Sequence, residues 1–246
     1  MPFARLQSLR AGLRQLLAPA CVVCGIAPGN PAGAPVCAPC RTDYFAAGAA
    51  RCRLCANRLP ALCSGQPGAP VPDLAICGSC LVRWPRFDAT LALADYAPPV
   101  DAMIAALKFH GRLDLGLAFG ALLAERLQGT AHDAVVPLPL AAPRLRERGY
   151  NQSEEIARAL SVGLQRPLLR DALVRTRQGA SQQGLRLAQR RTNVRGAFLA
   201  GPAVAGLRLV LVDDVLTSGS TLDAAAAALK AAGAAWITNG VVARTP

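Results

Sequence analysis

Four Cys-x-x-Cys pairs in the first third of the chain constrain its fold more than any other feature. They are Cys21/Cys24, Cys37/Cys40, Cys52/Cys55 and Cys77/Cys80. Two thiolates separated by two residues lie on one tight turn and can share a tetrahedral Zn²⁺, and two such turns complete a site. The pairs therefore predict two zinc ions, each held by four cysteines. Because four thiolates leave no coordination position open for water, we expect both ions to be structural.

A disulfide framework is the alternative interpretation of these cysteines. It fits poorly because the chain has nine cysteines, an odd number. Arginines also interrupt the leucines of residues 3–17, so we expect no secretory signal there. The ninth cysteine, Cys63, lies in a Pro/Gly/Ser-rich segment, and we expect it to be free. The spacing leaves two arrangements open: the pairs combine in sequence order, which is simpler, or they interleave.

The sequence changes character near residue 82, after the last cysteine. We predict three parts: an N-terminal helix in residues 1–20, a double zinc ribbon in residues 21–82 and one α/β domain in residues 83–246. Leucines at helical spacing in residues 3–17, with arginines between them, favour a packing helix over a transit peptide. No uncharged run with a helical pattern approaches the ~20 residues that span a bilayer, so we expect a cytoplasmic protein without membrane insertion.

Strand and helix patterns alternate in residues 83–246. Apolar and alternating runs predict strands at Thr90–Tyr96, Ala134–Leu138, Leu168–Arg175, Leu207–Val212 and Ala235–Val242. Helical spacing predicts helices at Val100–Phe109, Leu113–Leu127, Asn151–Leu164 and Leu222–Ala232. Asn151 can cap the third of these helices, with Glu154 at the capping-box position. Strands that alternate with helices pair in parallel, so the predicted fold class is α/β, a mainly parallel sheet flanked by helices.

The sharpest motif for chemistry is residues 209–222, LVLVDDVLTSGSTL. An apolar strand is expected to stop at two acids, Asp213 and Asp214, and a loop of small residues then opens a helix. Amides at a helix N-terminus favour a phosphate dianion, and the loop adds hydroxyl donors and a glycine that admits close approach. The loop residues are Thr217, Ser218, Gly219, Ser220 and Thr221. A strand followed by an ordinary capped loop is the alternative, but it would not need two acids.

Residues 209–221 resemble the signature of the type I phosphoribosyltransferases, which is an apolar strand, two acids and a T-x-G-x-T loop. The resemblance implies that Asp213 and Asp214 bind the ribose 2′- and 3′-hydroxyls of phosphoribosyl pyrophosphate (PRPP). It also implies that residues 217–221 hold the 5-phosphate. Two carboxylates that face a diol can accept hydrogen bonds and offset positive charge developing on the sugar.

A second segment narrows the resemblance. Residues 135–152, VVPLPLAAPRLRERGYNQ, resemble the P-x-P…R-x-x-x-R-G-[FY]-N-Q segment of the ComF/GntX family, whose members join a zinc ribbon to this transferase fold. Lys108 matches the family's L-K-[YF] motif. The resemblance implies a pyrophosphate loop at residues 137–148, where Arg144 and Arg148 suit the leaving group, and a mobile loop at residues 178–193. The alternative is that the arginines of these two loops are solvated surface residues without a role in binding.

The formal net charge of +12 favours anionic partners, and 12 arginines stand against four acids in residues 144–195. The resemblance implies a protein that binds PRPP, or another phosphorylated pentose, with Mg²⁺. Such a protein would transfer or recognise a 5-phosphoribosyl group, in association with DNA uptake in competent bacteria. Two alternatives treat the transferase site as vestigial: a single-stranded DNA handling factor that works with DNA-uptake proteins, and a PRPP-sensing adaptor. Aromatic residues are only 4% of the chain, which argues against the DNA alternative because few stacking surfaces are available.

Overall fold

The computed structural model describes residues 20–26, 35–46, 50–60, 75–176 and 196–245. The chain divides into two compact units, Met1–Ala46 and Ala47–Pro246, and each is described by itself. The first unit contains the first two cysteine pairs, and the second unit contains the other two pairs with the α/β elements. Apart from Ala20, the predicted N-terminal helix lies outside the described residues, as do Cys63 and the predicted loop at residues 178–193.

The first unit carries its four cysteines on a backbone turn and a short helix. The turn is closed by the Gly25 amide, which donates to the Cys21 carbonyl at 2.8 Å. Gly25 has a φ of 71°, in the left-handed region that favours glycine. Helix α1 (Ala38–Phe45) begins directly after Cys37, so that Cys40 lies in its first turn.

The second unit alternates strands and helices in the predicted manner. In chain order its elements are α2 (Gly78–Val82), β1 (Ala89–Asp95), α3 (Val100–Phe109), α4 (Leu113–Leu127), β2 (Ala134–Pro137), α5 (Ala142–Arg148), α6 (Gln152–Leu164), β3 (Leu173–Arg175), β4 (Phe198–Ala200), β5 (Arg208–Leu216), α7 (Ser220–Ala231) and β6 (Trp236–Arg244). A 3₁₀ turn precedes β5. Four strands form a parallel sheet in the order β1-β6-β5-β2. The predicted α/β class with a parallel sheet is confirmed.

Helices cover both faces of this sheet. Leu209 and Leu211 of β5 lie in one apolar cluster with the buried face of α7. On the other face, Gly240 of β6 packs against Leu123 of α4. A Cβ atom at position 240 would lie 3.8 Å from the Leu123 side chain. With both faces covered, the strands of the sheet are apolar on both sides, as parallel strands usually are.

Helices α4 and α6 approach each other closely at a glycine. A Cβ built at Gly120 would lie 2.4 Å from the Ile156 carbonyl oxygen and 2.5 Å from the Ala159 Cβ, so a larger residue there cannot fit without a shift. The cap of α6 is the predicted one, since the Asn151 side chain accepts from the Ser153 amide at 3.1 Å. Among the described residues, no helix has the length and apolar character needed to cross a membrane.

The strand that carries the acid pair is longer than predicted. It was expected to stop at Asp213, but β5 continues through both acids to Leu216. The reason is its neighbour: β6 also extends further, and Leu216 still pairs with Arg244. The two acids therefore belong to a paired strand, and the predicted phosphate loop, residues 217–221, begins directly after it.

Three further elements differ from the prediction. The strand expected at residues 168–175 is reduced to β3, because the chain turns at Arg170 and Asp171 and leaves Leu168 in an isolated bridge with Val135. β3 pairs antiparallel with β4, a three-residue strand that the sequence did not indicate. Within the expected pyrophosphate loop, residues 142–148 form helix α5, which has Pro143 in its first turn and ends at a left-handed Gly149.

The first turn of the second cysteine cluster, residues 51–58, packs on edge strand β1. Thr90 donates its amide to the Arg53 carbonyl at 2.9 Å and its hydroxyl to the Leu54 carbonyl at 2.5 Å. Arg51 forms an ion pair with Asp95 at 2.9 Å. This turn therefore covers the edge of the sheet that would otherwise present unpaired backbone groups.

Candidate functional site

Two clusters of four cysteines have the geometry of metal sites. The first cluster is Cys21, Cys24, Cys37 and Cys40, and the second is Cys52, Cys55, Cys77 and Cys80; within each, the sulfur atoms lie within 4.8 Å of one another. The pairs thus combine in sequence order. A tetrahedral Zn²⁺ with bonds of about 2.3 Å places its sulfur ligands about 3.8 Å apart. The Cys24 and Cys37 sulfur atoms of the first cluster lie 3.9 Å apart, and the Cys55 and Cys77 sulfur atoms of the second lie 3.6 Å apart, which fits that value.

Hydrogen bonds prepare some of these thiols to ionise. Burial raises the pKa of Cys21, but backbone amides of its own turn and of Cys37 outweigh that effect and lower it to about 6. A hydrogen bond with Cys55 lowers the pKa of Cys52 to about 4. Burial raises the pKa of Cys80 to about 12. A metal ion must therefore displace protons from the remaining thiols, which makes its affinity depend on pH.

The acid pair lies near the carboxyl end of β5. The Ser153 hydroxyl donates to Asp213 Oδ1 at 3.0 Å, and the Asp214 amide donates to the same oxygen at 2.9 Å. Lys108 Nζ lies 2.8 Å from Asp214 Oδ1, and the Asp214 side chain is only 6% exposed. The other oxygen, Asp214 Oδ2, is buried and has no hydrogen-bond partner among the described residues. The pair thus offers an acceptor that the described part of the chain leaves unused.

The charge of Asp214 acts on the neighbouring carboxyl of Asp213. Burial and the neighbouring charge of Asp214 raise the pKa of Asp213 to about 7, and Lys108, the Asp214 amide and the Ser153 hydroxyl act in the opposite direction. Asp213 therefore carries a proton over part of the neutral pH range. A cation or a hydroxyl donor that arrives next to the pair would favour its ionised form.

A cavity of about 590 Å³, the acid-pair cavity, adjoins these carboxyls. It brings together seven of the residues predicted from the sequence: Lys108, Arg144, Arg148, Asp213, Asp214, Thr217 and Thr221. Arg144 and Arg148 reach it from α5. Arg148 is held by Gln152, to which it donates at 3.1 Å, and by the Phe109 ring, whose centroid lies 4.8 Å from the guanidinium carbon. The cavity therefore combines carboxylates, cations and hydroxyls.

The other three predicted residues lie on a second cavity. Ser218, Gly219 and Ser220 line a space of about 730 Å³, which also borders Cys55, Cys80 and residues 83–87. Gly219 caps α7 with a φ of 77°, and the Ser218 and Ser220 hydroxyls lie 2.5 Å apart. The loop of residues 217–221 therefore separates two cavities and contributes residues to both.

Several polar side chains of the acid-pair cavity were not predicted from the sequence, and Ser153 and Arg175 are two of them. Ser153 binds Asp213, and Arg175 lies at the end of β3, with its guanidinium carbon 5.3 Å from the centroid of the Phe198 ring. The buried Nε of Arg175 has no partner among the described residues. Burial, followed by the positive charge of Arg144, lowers the pKa of Arg175. In the sequence, Ser153 could have been noticed only because it lies in the first turn of the helix, directly after the cap Asn151 and Gln152. No local pattern indicated Arg175.

Comparisons with known proteins agree with this architecture. Residues 114–246 match the phosphoribosyl transferase domain family. The DNA utilization protein YhgH of Escherichia coli (strain K12) is 35% identical over 204 residues, which are 79% of this chain and 90% of that protein. Competence protein F of Haemophilus influenzae (strain Rd) is 34% identical over 157 residues, 60% of this chain and 69% of that protein. The chain also matches a solved structure, glutamine phosphoribosylpyrophosphate amidotransferase from B. subtilis complexed with ADP and GMP, at 23% identity and a TM-score of 0.37, over 51% of this chain and 25% of that one.

The domain match, the sequence relatives and the two cysteine clusters lead to the same family. The domain match covers more than half of the chain, and the YhgH match covers most of both proteins. Competence protein ComFC of Bacillus subtilis (strain 168) is also similar, at 27% identity over 66% of this chain and 69% of that protein. The predicted family is confirmed: this chain belongs to the ComF family, in which a zinc-ribbon module is joined to a phosphoribosyltransferase domain.

Proposed function

We propose that this chain binds PRPP with Mg²⁺ in the acid-pair cavity and transfers or recognises its 5-phosphoribosyl group. The observation that carries the proposal is the meeting of Asp213 and Asp214 with cationic and hydroxyl side chains in one cavity. In open parallel sheets, ligands bind beyond the carboxyl ends of the strands, which is where this pair lies. A volume of about 590 Å³ is in the range of small-molecule sites.

The charges of the cavity suit a sugar with phosphate groups at both ends. Arg144 and Arg148 can each bind phosphate oxygens through two parallel hydrogen bonds, and we assign the pyrophosphate to them. Thr217 and Thr221 lie at the N-terminus of α7, where the helix dipole favours a dianion, and we assign the 5-phosphate to this loop. The ribose then lies between the two groups, next to the acid pair.

The acid pair would accept hydrogen bonds from the ribose 2′- and 3′-hydroxyls. Asp214 Oδ2 is a buried acceptor without a partner in the described part of the chain, so a ligand hydroxyl would satisfy it. Lys108 keeps the other oxygen of Asp214 in place. As positive charge develops at C1 during transfer, the two carboxyl groups stabilise it through a low-dielectric environment. Arg144 and Arg148 hold the departing pyrophosphate.

Magnesium fits the same donor set. Mg²⁺ prefers oxygen ligands, keeps several waters and commonly binds one or two carboxylates together with substrate phosphates. Asp213 and Asp214 are the acidic residues that line this cavity, and they would hold the ion or its waters. When bound, Mg²⁺ supplies positive charge that neutralises the pyrophosphate. We also propose that each cysteine cluster holds one structural zinc ion.

The role of the chain in the cell is proposed from its relatives, whose names refer to DNA utilization and to competence. We propose that phosphoribosyl binding serves the use of incoming DNA. A second candidate function, single-stranded DNA handling, is favoured by one observation. Trp84 is 57% exposed and lies between Arg83 and Arg86 on the second cavity, which is the combination of a stacking surface and cations that single strands use.

Paired substitutions at the acid pair test the proposed function. Titration of the zinc-loaded chain with PRPP and Mg²⁺ should show binding, and Asp213→Asn with Asp214→Asn should abolish it. The matched control is Asp171→Asn, since Asp171 is an exposed acid outside the cavity. Pyrophosphate release with a panel of acceptor bases then separates transfer from recognition. If wild type and the acid-pair variant bind single-stranded DNA equally and neither binds PRPP, the second candidate is the better account.

A further inference from the structure

One arginine links the second cysteine cluster to the phosphate loop. Arg244, at the end of β6, donates from Nε to the carbonyl of Cys55 at 3.0 Å. From Nη1 it donates to the carbonyl of Leu216 at 3.2 Å. Cys55 is one of the four thiols of the second cluster, and Leu216 is the last residue of β5 before Thr217. A single guanidinium therefore joins the backbone of a candidate metal ligand to the start of the phosphate loop.

The Leu216 carbonyl is the point from which the loop departs. It also accepts from the Thr245 amide at 3.0 Å, and Arg244 donates from Nη1 to the Thr245 hydroxyl at 3.1 Å. These contacts fix the direction of the peptide that leads into residues 217–221. Because phosphate binding at a helix N-terminus depends on where the loop amides point, a shift of this peptide would change the site.

The Cys55 carbonyl, which Arg244 also contacts, belongs to the second cysteine cluster. Cys55 lies in the turn of residues 51–58, and a bound metal would hold its backbone through the Sγ atom. Thr90 and Arg51 also hold this turn, but they attach it to β1. Of these three side chains, Arg244 is the one for which the structure shows a contact with Leu216.

We propose that Arg244 is a positioning residue that couples metal binding at the second cluster to the geometry of the phosphate loop. With metal bound, the Cys55 carbonyl is fixed, Arg244 is held between two carbonyls, and residues 217–221 keep the arrangement that receives a phosphate. Loss of the metal frees the Cys55 end of this link and loosens the loop. The relevance to ligand binding rests on the proposed function, whereas the coupling itself can be measured without a ligand.

Hydrogen exchange of two amides at the ends of this loop tests the coupling in the zinc-loaded full chain. These loop amides are those of Thr245 and Asp223, which donate to the Leu216 and Gly219 carbonyls at 3.0 Å and 2.8 Å. Arg244→Ala should speed their exchange about ten-fold or more, because hydrogen bonds from a charged group to two carbonyls are lost. Amides of β2 should keep their rates, which separates a local effect from general destabilisation. The matched control is Arg51→Ala, which loosens the same turn from β1 and should leave the loop amides unchanged. Arg244→Lys keeps the charge but cannot join both carbonyls, so its rates should be intermediate.

A second pair of variants tests the metal. Cys77→Ser, which removes a ligand of the second cluster without touching Arg244, should speed exchange of the loop amides as Arg244→Ala does. Cys24→Ser, the equivalent change in the first cluster, should not. Equal rates in wild type, Arg244→Ala and Cys77→Ser would overturn the proposal, and so would an equal effect of both cysteine variants.

Titration with ribose 5-phosphate adds the ligand. If the proposed function holds, Arg244→Ala should weaken binding about ten-fold, while Arg51→Ala should bind as wild type. If wild type binds neither ribose 5-phosphate nor PRPP but exchange responds as described, the coupling stands and the proposed function fails. If wild type binds and Arg244→Ala binds equally well with unchanged exchange, Arg244 has no positioning role.

Discussion

Replacement of Lys108 by methionine should destabilise the chain more than the loss of an ordinary ion pair. Lys108 Nζ lies 2.8 Å from Asp214 Oδ1, and the Asp214 side chain is 6% exposed. At an effective dielectric constant of 20, opposite charges at this distance attract by about 6 kcal/mol. Much of this attraction is offset because both charged groups lose hydration on folding. The net loss in the free energy of unfolding when Asp214 is left unpaired is therefore about 3 kcal/mol.

The cost should depend on pH in a definite direction. The pKa of Asp213 is about 7 in the folded chain, above its usual value near 4, so the folded form binds more protons between these values. Stability therefore falls as pH rises through this window, by at most about 1.4 kcal/mol per pH unit. Removing Lys108, which lowers the pKa of Asp213, extends the window upward. The variant should then lose less stability at pH 6, where the acid pair takes up a proton, than at pH 8.

Urea unfolding followed by circular dichroism at pH 6 and pH 8 measures both effects. The matched control is Lys230→Met, because Lys230 also lies 2.8 Å from its partner, Asp88, but both side chains are partly exposed. That pair should be worth about 1 kcal/mol or less at either pH. Equal losses in the two variants at pH 8 would show that burial of Asp214 does not strengthen its ion pair. A loss in Lys108→Met that is the same at both pH values would show that Lys108 does not lower the pKa of Asp213.

Three further predictions follow from the same geometry. Gly120→Ala should cost about 2 kcal/mol in thermal unfolding because its Cβ would meet backbone of α6, whereas Gly201→Ala, with open space around it, should cost almost nothing. Arg144→Ala should weaken PRPP binding about ten-fold in calorimetry, while Arg146→Ala, on the same helix but outside the cavity, should not. Mass spectrometry of the metal content should give two zinc ions per chain, released on acidification as protons displace them, and Cys63→Ser should retain both.

The sequence could predict those features that depend on local pattern. Helix α4 has the predicted bounds because its apolar residues recur at helical spacing, and Asn151 caps α6 because its side chain needs only the amide two residues on. The cysteine clusters were predictable for the same reason, since Cys-x-x-Cys spacing places two thiols on one turn. The order in which the pairs combine needed the structure.

Contacts between distant parts of the chain could not be predicted in this way. Lys108 meets Asp214, and Ser153 meets Asp213, only because α3 and α6 pack beside the end of β5. The extent of β5 was also missed, because a strand continues as long as its neighbour supplies partners, whatever its own polarity. Short β4 carries too few residues to show a period. The division of the loop between two cavities is likewise a property of packing.

A crystal structure of the zinc-loaded chain grown with PRPP and Mg²⁺ would show whether the acid-pair cavity is the ligand site. We expect density in this cavity, with the 5-phosphate on residues 217–221, the ribose hydroxyls on Asp213 and Asp214, and the pyrophosphate next to Arg144 and Arg148. An empty acid-pair cavity at saturating PRPP, or a sugar bound with its hydroxyls away from both acids, would contradict the proposed function.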